Sequence, residues 1–305
     1  MTIEEVHRPG GGHAEPPPIS YLRALRPRQW LKNLLVFAAP IAAGDITHAS
    51  TLAHASVAFV AFCAGASGTY LINDARDVEA DRRHPTKRNR PIAAGLVPIP
   101  AAYALAAVLL VGSLVLAFAT RFDFGLTLAG YLALTTSYSL YLKRQPVLDI
   151  VAVAGCYVLR AVGGATATGL PISEWFFIVA SFGALMIVVG KRESELRALG
   201  DGAGAVRATL GVYTVEFLRY LRAVATAVVL VAYCLWAFDS AAHSQGGSIW
   251  FQLSVVPFVT AIIQYGLVIE HGGGEHPEQV LTTDRAILVS AAVWAVIYAY
   301  AVYRT

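Results

Sequence analysis

The densest group of chemically capable residues runs from Asn73 to Arg90, NDARDVEADRRHPTKRNR. Asp74, Asp77 and Asp81 follow one another at steps of three and four, which on a helix places three carboxylates on one face. Asn73 stands in front of them, Tyr70 lies three residues before Asn73 and shares its face, and Glu79 falls off that face. Like charges at this spacing repel, so the helix end needs a compensating cation. Hard oxygen donors grouped in this way suit Mg2+, which is usually shared between one or two carboxylates and the phosphates of a substrate. Arg82, Arg83, Lys87, Arg88 and Arg90 come directly afterwards and supply fixed positive charge for such phosphates. For any single basic residue the competing reading is a solvated loop. Pro85 is expected to end the helix, because it cannot continue the hydrogen-bond ladder.

A second charged stretch, GKRESELRALGD, opens with Lys191 and Arg192 and carries Glu193, Glu195 and Arg197. Glu195 lies four residues from Lys191 and either pairs with it or meets a metal-bound water or a sugar hydroxyl. Arg160 sits inside an apolar run, about 16 Å deeper than Asp149 on a helix rising 1.5 Å per residue. A charge at that depth must face the interior of a bundle. It either locks the bundle or helps to hold an anionic headgroup. Lys32 and Asn33 are further candidates for such a headgroup, against simple snorkelling at the membrane interface.

The elements that must position these side chains are apolar. Of the 305 residues, 56% are hydrophobic and 14% charged, against about 25% charged in a soluble domain. This excludes disorder, a disulfide scaffold and an ordinary soluble enzyme. A net charge of +3 gives no reason to expect a nucleic-acid partner. Cys63, Cys156 and Cys234 all lie in apolar runs without metal-type spacing and read as small buried hydrophobes. Residues 1–20 read as a flexible cytosolic tail without the apolar core of a signal peptide. Beyond them, 21–305 form one domain with nine apolar stretches, near 31–44, 51–72, 98–119, 124–142, 147–169, 174–190, 214–238, 249–270 and 284–303. Most have the roughly 20 residues that cross a bilayer, and in lipid such runs must be helices. The expected fold is an all-α polytopic bundle of nine transmembrane helices. With the N-terminus cytosolic, every Lys and Arg except Arg121, Arg160 and Arg304 falls on the inner side. The charged cytosolic loops, about 73–97 and 191–213, follow the second and sixth spans. This offset of four spans suggests two four-helix halves and a ninth helix.

NDxxDxxxD, Asn73 to Asp81 in this chain, resembles the first signature of the UbiA superfamily of intramembrane prenyltransferases, and DRRHPTKRNRPIAAG resembles its continuation. The likeness extends over nearly the whole chain and implies a helical bundle around a central cavity. In prenyltransferases of that superfamily the second loop carries another Asp-rich motif, DxxxD, for a second Mg2+. Here the corresponding place reads GKRESEL, which favours a substrate bringing an additional phosphate to Lys191 and Arg192. RPRQWLKN (Arg26 to Asn33), Tyr70 to Gly95, and GKRESEL together resemble the phosphoribosyltransferase branch. That branch moves a 5-phosphoribosyl group from phosphoribosyl pyrophosphate (PRPP) to a polyprenyl (decaprenyl) phosphate, for cell-wall arabinan synthesis.

The resemblance thus implies a Mg2+-dependent pentosyltransferase of the bacterial plasma membrane with its site facing the cytoplasm. Asp74, Asp77 and Asp81 are its expected catalytic and metal residues. Tyr70, Asn73, Lys32, Lys87, Arg88, Arg160, Lys191, Arg192 and Glu195 are its expected substrate contacts. PRPP and a polyprenyl phosphate are the expected partners, and a homo-oligomer is compatible with them. One rival is an aromatic prenyltransferase using a polyprenyl diphosphate, which needs the same first motif but also the second Asp motif. The other is a lipid or ion transporter, which would carry charge along a path to both faces instead of massing it at one mouth.

Overall fold

The computed structural model describes residues 18–200, 208–243, 248–275 and 277–303. The described residues are helical, with no strand among them. In chain order the α-helices are α1 (Pro18–Ala24), α2 (Ala38–Ala42), α3 (Ala49–Arg76), α4 (Val78–Arg83), α5 (Ile99–Thr120), α6 (Phe122–Leu140), α7 (Leu148–Thr168), α8 (Glu174–Leu199), α9 (Val215–His243), α10 (Ser248–Leu253), α11 (Val255–Glu270), α12 (Pro277–Thr283) and α13 (Arg285–Tyr303). A 3-10 segment, Pro27–Phe37, runs into α2.

Among the described residues, seven stretches are long and apolar enough to cross a membrane: α3, α5, α7, α8, α9, α13 and the pair α10–α11 from Ile249 to Glu270. The helix expected at 124–142 forms as α6, although its Thr and Ser residues keep its hydropathy below that of the others. The span expected at 31–44 forms no long helix. Pro27 and Pro40 bracket a tight 3-10 winding that gives way to one short α-turn. The expected tail at 1–20 lies outside the described residues up to 17, and residues 18–20 belong to α1, where Ser20 is buried.

Packing follows small side chains, as expected where lipid removes the hydrophobic drive between helices. α3 turns Ala55, Ala58, Ala61, Gly65 and Gly68 inward and lies chiefly against α5. A Cβ on Gly164 of α7 would come 1.7 Å from the carbonyl oxygen of Val36. The 3-10 segment therefore rests backbone to backbone on α7, a fit that only glycine permits. The outer faces of α5, α9 and α13 expose Val108, Val111, Val231, Val289 and Val296, as a lipid-facing surface requires. Arg121 lies beside Gly169 at one end of the bundle, whereas the charged segments after α3 and α6 and at the end of α8 gather at the other.

Candidate functional site

The last two turns of α3 carry Tyr70, Asn73 and Asp74, and its C-cap Asp77 continues their i, i+3, i+4 and i+7 spacing on one helical face. They form one wall of a polar cavity of about 460 Å³. Arg26, Arg76, Arg90, Tyr138, Ser139, Lys143 and Arg144 complete its lining. The amide of Asn73 donates to Ser139 Oγ at 3.1 Å, which ties α3 to the end of α6. Five cations thus face two carboxylates, a balance suited to a ligand with several phosphates.

The charge compensation expected at the Asp triplet comes from arginine. Arg90 Nη1 donates to Asp81 Oδ2 at 2.7 Å and to Asp74 Oδ1 at 3.1 Å, and Arg26 Nη2 reaches Asp74 Oδ1 at 2.5 Å. Arg26 also lies over the Tyr70 ring, 4.9 Å from its centroid. Asp74 and Asp81 are buried, whereas Asp77 is exposed at the junction of α3 and α4. The ladder nearly continues through that junction, because Asp77 N–H donates to Asn73 and Asp81 N–H to Asp77. α4 then stops just before Pro85, as expected. Among the described residues, no group of three His, Cys, Asp or Glu side chains converges tightly enough to hold a metal by itself. Asp74, Asp77 and the amide oxygen of Asn73 do offer hard oxygen donors to the cavity. Mg2+ needs no more than one or two carboxylates when phosphate oxygens and waters complete its shell. The donor set fits Mg2+ on that condition.

Lys87 and Arg88 lie exposed on a short 3-10 turn and do not line the cavity. Lys191, Arg192 and Glu195 lie on the last turns of α8, which continues to Leu199 where a loop was expected. None of the three lines the polar cavity. Arg192 is buried. It donates to Glu195 at 2.9 Å, lies 3.4 Å from Asp149, and reaches the Tyr138 hydroxyl at 3.4 Å. Lys191 lies 3.9 Å from Glu195, so the closer partner of that carboxylate is Arg192. Asp149, fully buried at the start of α7, accepts from Thr209 at 3.1 Å and from Tyr213 at 2.5 Å. Burial, and then its bond to Asp149, push the Tyr213 hydroxyl up to a pKa of about 12.

A second, apolar cavity of about 580 Å³ has the 3-10 segment in its wall. Leu31, Leu34, Leu35, Trp175, Phe176, Trp236, Phe258, Trp294 and Tyr298 are among its walls, and Lys32 is its one charged lining residue. Lys32 Nζ donates to Gln29 at 2.7 Å. Behind this wall Arg160 donates to Asn33 Oδ1 at 2.7 Å, to the carbonyl of Cys156 at 2.7 Å and to the Tyr131 hydroxyl at 2.8 Å. Its guanidinium also faces the rings of Tyr131 and Tyr157. It therefore holds the 3-10 segment to α6 and α7, and its ring neighbour Tyr157 reaches the apolar cavity. The three cysteines are unpaired, with Cys63 buried.

Sequence reasoning missed Arg26, Arg76, Tyr138, Ser139, Lys143 and Arg144, and it treated Arg90 only as one of a basic run. Arg26 stood inside the RPRQWLKN motif, so a signal existed for it. Lys143 and Arg144 looked like ordinary inner-side charges of a short turn.

A membrane-embedded helical bundle with an acid-and-base cavity at one end and an apolar cavity beside it is the architecture of an enzyme acting on lipids. Residues 34–283 match the UbiA prenyltransferase family, and the chain belongs to that family. It is 43% identical over 287 residues to decaprenyl-phosphate phosphoribosyltransferase of Corynebacterium glutamicum, covering 92% of this chain and 86% of the relative. It is also 43% identical over 277 residues to the protein of that name from Mycobacterium tuberculosis, covering 90% and 91%. A solved UbiA homolog from Archaeoglobus fulgidus, bound to DMAPP and Mg2+, superposes with a TM-score of 0.70 at 21% identity, covering 94% of this chain and all of that one.

Proposed function

We propose that this protein transfers a 5-phosphoribosyl group from PRPP to a polyprenyl phosphate, decaprenyl phosphate by likeness to its relatives, and releases pyrophosphate. The observation that carries the reading is the polar cavity, where Asp74 and Asp77 face Arg26, Arg76, Arg90, Lys143 and Arg144. Such a lining suits a donor with a diphosphate at one end and a separate phosphate at the other. Identity of 43% to phosphoribosyltransferases over most of the chain supports it. The second cavity, apolar with Lys32 in its wall, suits a lipid tail with a phosphate head.

In this reading Asp74 and Asp77, with Asp81 beside them, would hold Mg2+, which when bound would supply charge neutralisation for a diphosphate leaving group. Tyr70 and Asn73 shape the wall next to it. Lys143 and Arg144 bind the donor's outer phosphate, while Lys87, Arg88 and Lys191 add to the positive field at the same mouth. Lys32, in the wall of the apolar cavity, holds the acceptor phosphate, and Arg160 steadies it by anchoring Asn33 on the 3-10 segment. Arg192 and Glu195 brace α8 against α6 and α7. The bond from the anomeric carbon to pyrophosphate breaks, and the electron pair leaves with pyrophosphate. An oxygen of the acceptor phosphate attacks the same carbon from the opposite face, so an α-linked donor gives a β-linked product. The acceptor is already an anion, and no protein base is required. The charged end faces the cytoplasm of a bacterial cell, with the N-terminus inside and the 3-10 segment and α6 counted among nine crossings.

Purified protein with Mg2+ and polyprenyl phosphate is to be given labelled PRPP, or labelled isoprenyl diphosphate with an aromatic acceptor. Label from PRPP is expected in the lipid fraction. Transfer from the isoprenyl diphosphate alone would overturn the reading in favour of an aromatic prenyltransferase.

A further inference from the structure

Only two described residues other than glycine adopt a positive φ: Arg26, and Val147, which follows the cavity-lining Arg144 by three residues. Arg26 lines the polar cavity directly. Val147, at φ 68 and ψ −49, ends the short turn that carries Lys143 and Arg144. A β-branched residue is strongly disfavoured there, because its Cβ crowds the backbone. Its side chain is 49% exposed, so packing does not repay the conformation. A local bond closes the turn around it, Leu148 N–H donating to the Pro146 carbonyl at 2.8 Å, and a second bond from a distant part of the chain holds Val147's own N–H. Val147 N–H donates to the Tyr213 hydroxyl at 2.6 Å, and that hydroxyl donates to Asp149 at 2.5 Å. Asp149 in turn is fixed by Thr209 and lies against Arg192. The Tyr213 ring stacks on Phe217 at 5.9 Å, which fixes the hydroxyl's position. Strained backbone held by surrounding contacts is a mark of functional sites.

We infer that Tyr213 is a positioning residue for the donor: by pinning Val147 in its positive-φ conformation it aims Lys143 and Arg144 into the polar cavity. Tyr213 thus acts on the donor through the α6–α7 turn, without lining the cavity. Neither the Lys143 nor the Arg144 side chain has an ion-pair or hydrogen-bond partner among the described residues, so each is available to a phosphate. This inference rests on the polar cavity being the donor site, and the test separates the two.

Full-length protein is to be assayed with PRPP and polyprenyl phosphate varied in turn, for Tyr213→Phe, Asp149→Asn, the Tyr213→Phe/Val147→Gly double variant, and Lys143→Ala/Arg144→Ala. Tyr213→Phe loses one hydrogen bond to Val147, and the PRPP KM is expected to rise about five- to tenfold. The acceptor KM and kcat are expected to stay within about twofold. Asp149→Asn, which loosens the hydroxyl's orientation, should shift the same constant in the same direction. Glycine adopts positive φ without strain, so adding Val147→Gly to Tyr213→Phe is expected to recover most of the lost PRPP affinity. An unchanged PRPP KM in Tyr213→Phe, with a raised one in Lys143→Ala/Arg144→Ala, would overturn the clamp and leave the donor site standing. An unchanged KM in Lys143→Ala/Arg144→Ala would overturn the donor-site reading itself. Loss of both substrate affinities in Tyr213→Phe without recovery by Val147→Gly would show a merely structural tyrosine and overturn the inference.

Discussion

Arg90→Gln removes the guanidinium that joins Asp74 to Asp81, and its effect can be worked from the geometry. The side chains of both aspartates are 5% exposed, and that of Arg90 is 30% exposed. Breaking a buried ion pair costs about 3–5 kcal/mol, because a buried charge is left without a partner. The exposure of Arg90 reduces that figure, as solvent screens the pair. Arg26 still covers Asp74, so Asp81 bears most of the loss. The expected destabilisation is about 2–3 kcal/mol on these scales. Unfolding in mixed micelles measures it, with Asp81→Asn and the double variant completing a cycle. The two substitutions are expected to couple by about 1–2 kcal/mol, since Asn no longer needs the arginine. Mg2+ is expected to stabilise Arg90→Gln more than wild type, because the carboxylates then have fewer competing cations. An Arg90→Gln protein within about 0.5 kcal/mol of wild type, or strict additivity with Asp81→Asn, would refute the reasoning.

Gly164→Ala drives a Cβ into the Val36 carbonyl and is expected to destabilise the protein by about 2 kcal/mol or more. Gly112→Ala, where a Cβ meets nothing within 4 Å, is the control and should be neutral or slightly stabilising in the same unfolding measurement. Arg160→Lys keeps the charge but cannot match three acceptors with a planar fork. A fall in stability of about 2 kcal/mol is expected, with a rise in acceptor KM larger than in PRPP KM. Equal changes in the two constants would remove the link from Arg160 to the acceptor.

The helices were legible because span length and apolarity are local properties of the chain. The acidic face of α3 was legible because Tyr70, Asn73, Asp74 and Asp77 keep helical spacing. The 3-10 form of the first apolar stretch was not legible, because hydropathy does not distinguish a 3-10 winding from an α-helix. The second charged stretch was read as a loop, although nothing between Lys191 and Leu199 breaks a helix and Gly200, at φ 52, marks its end. The other wall of the polar cavity was not legible, because Lys143 and Arg144 reach it only through the packing of α6 against α7 and the contact with Tyr213. The triplet's need for positive charge was anticipated correctly, but only tertiary structure shows Arg90 and Arg26 supplying it.

The most direct test of the account is a density map of the protein with PRPP and Mg2+ bound. The diphosphate is expected against Asp74 and Asp77, with the donor's other phosphate at Lys143 and Arg144. A donor bound outside this cavity, or one bound there with both carboxylates turned away, would contradict it.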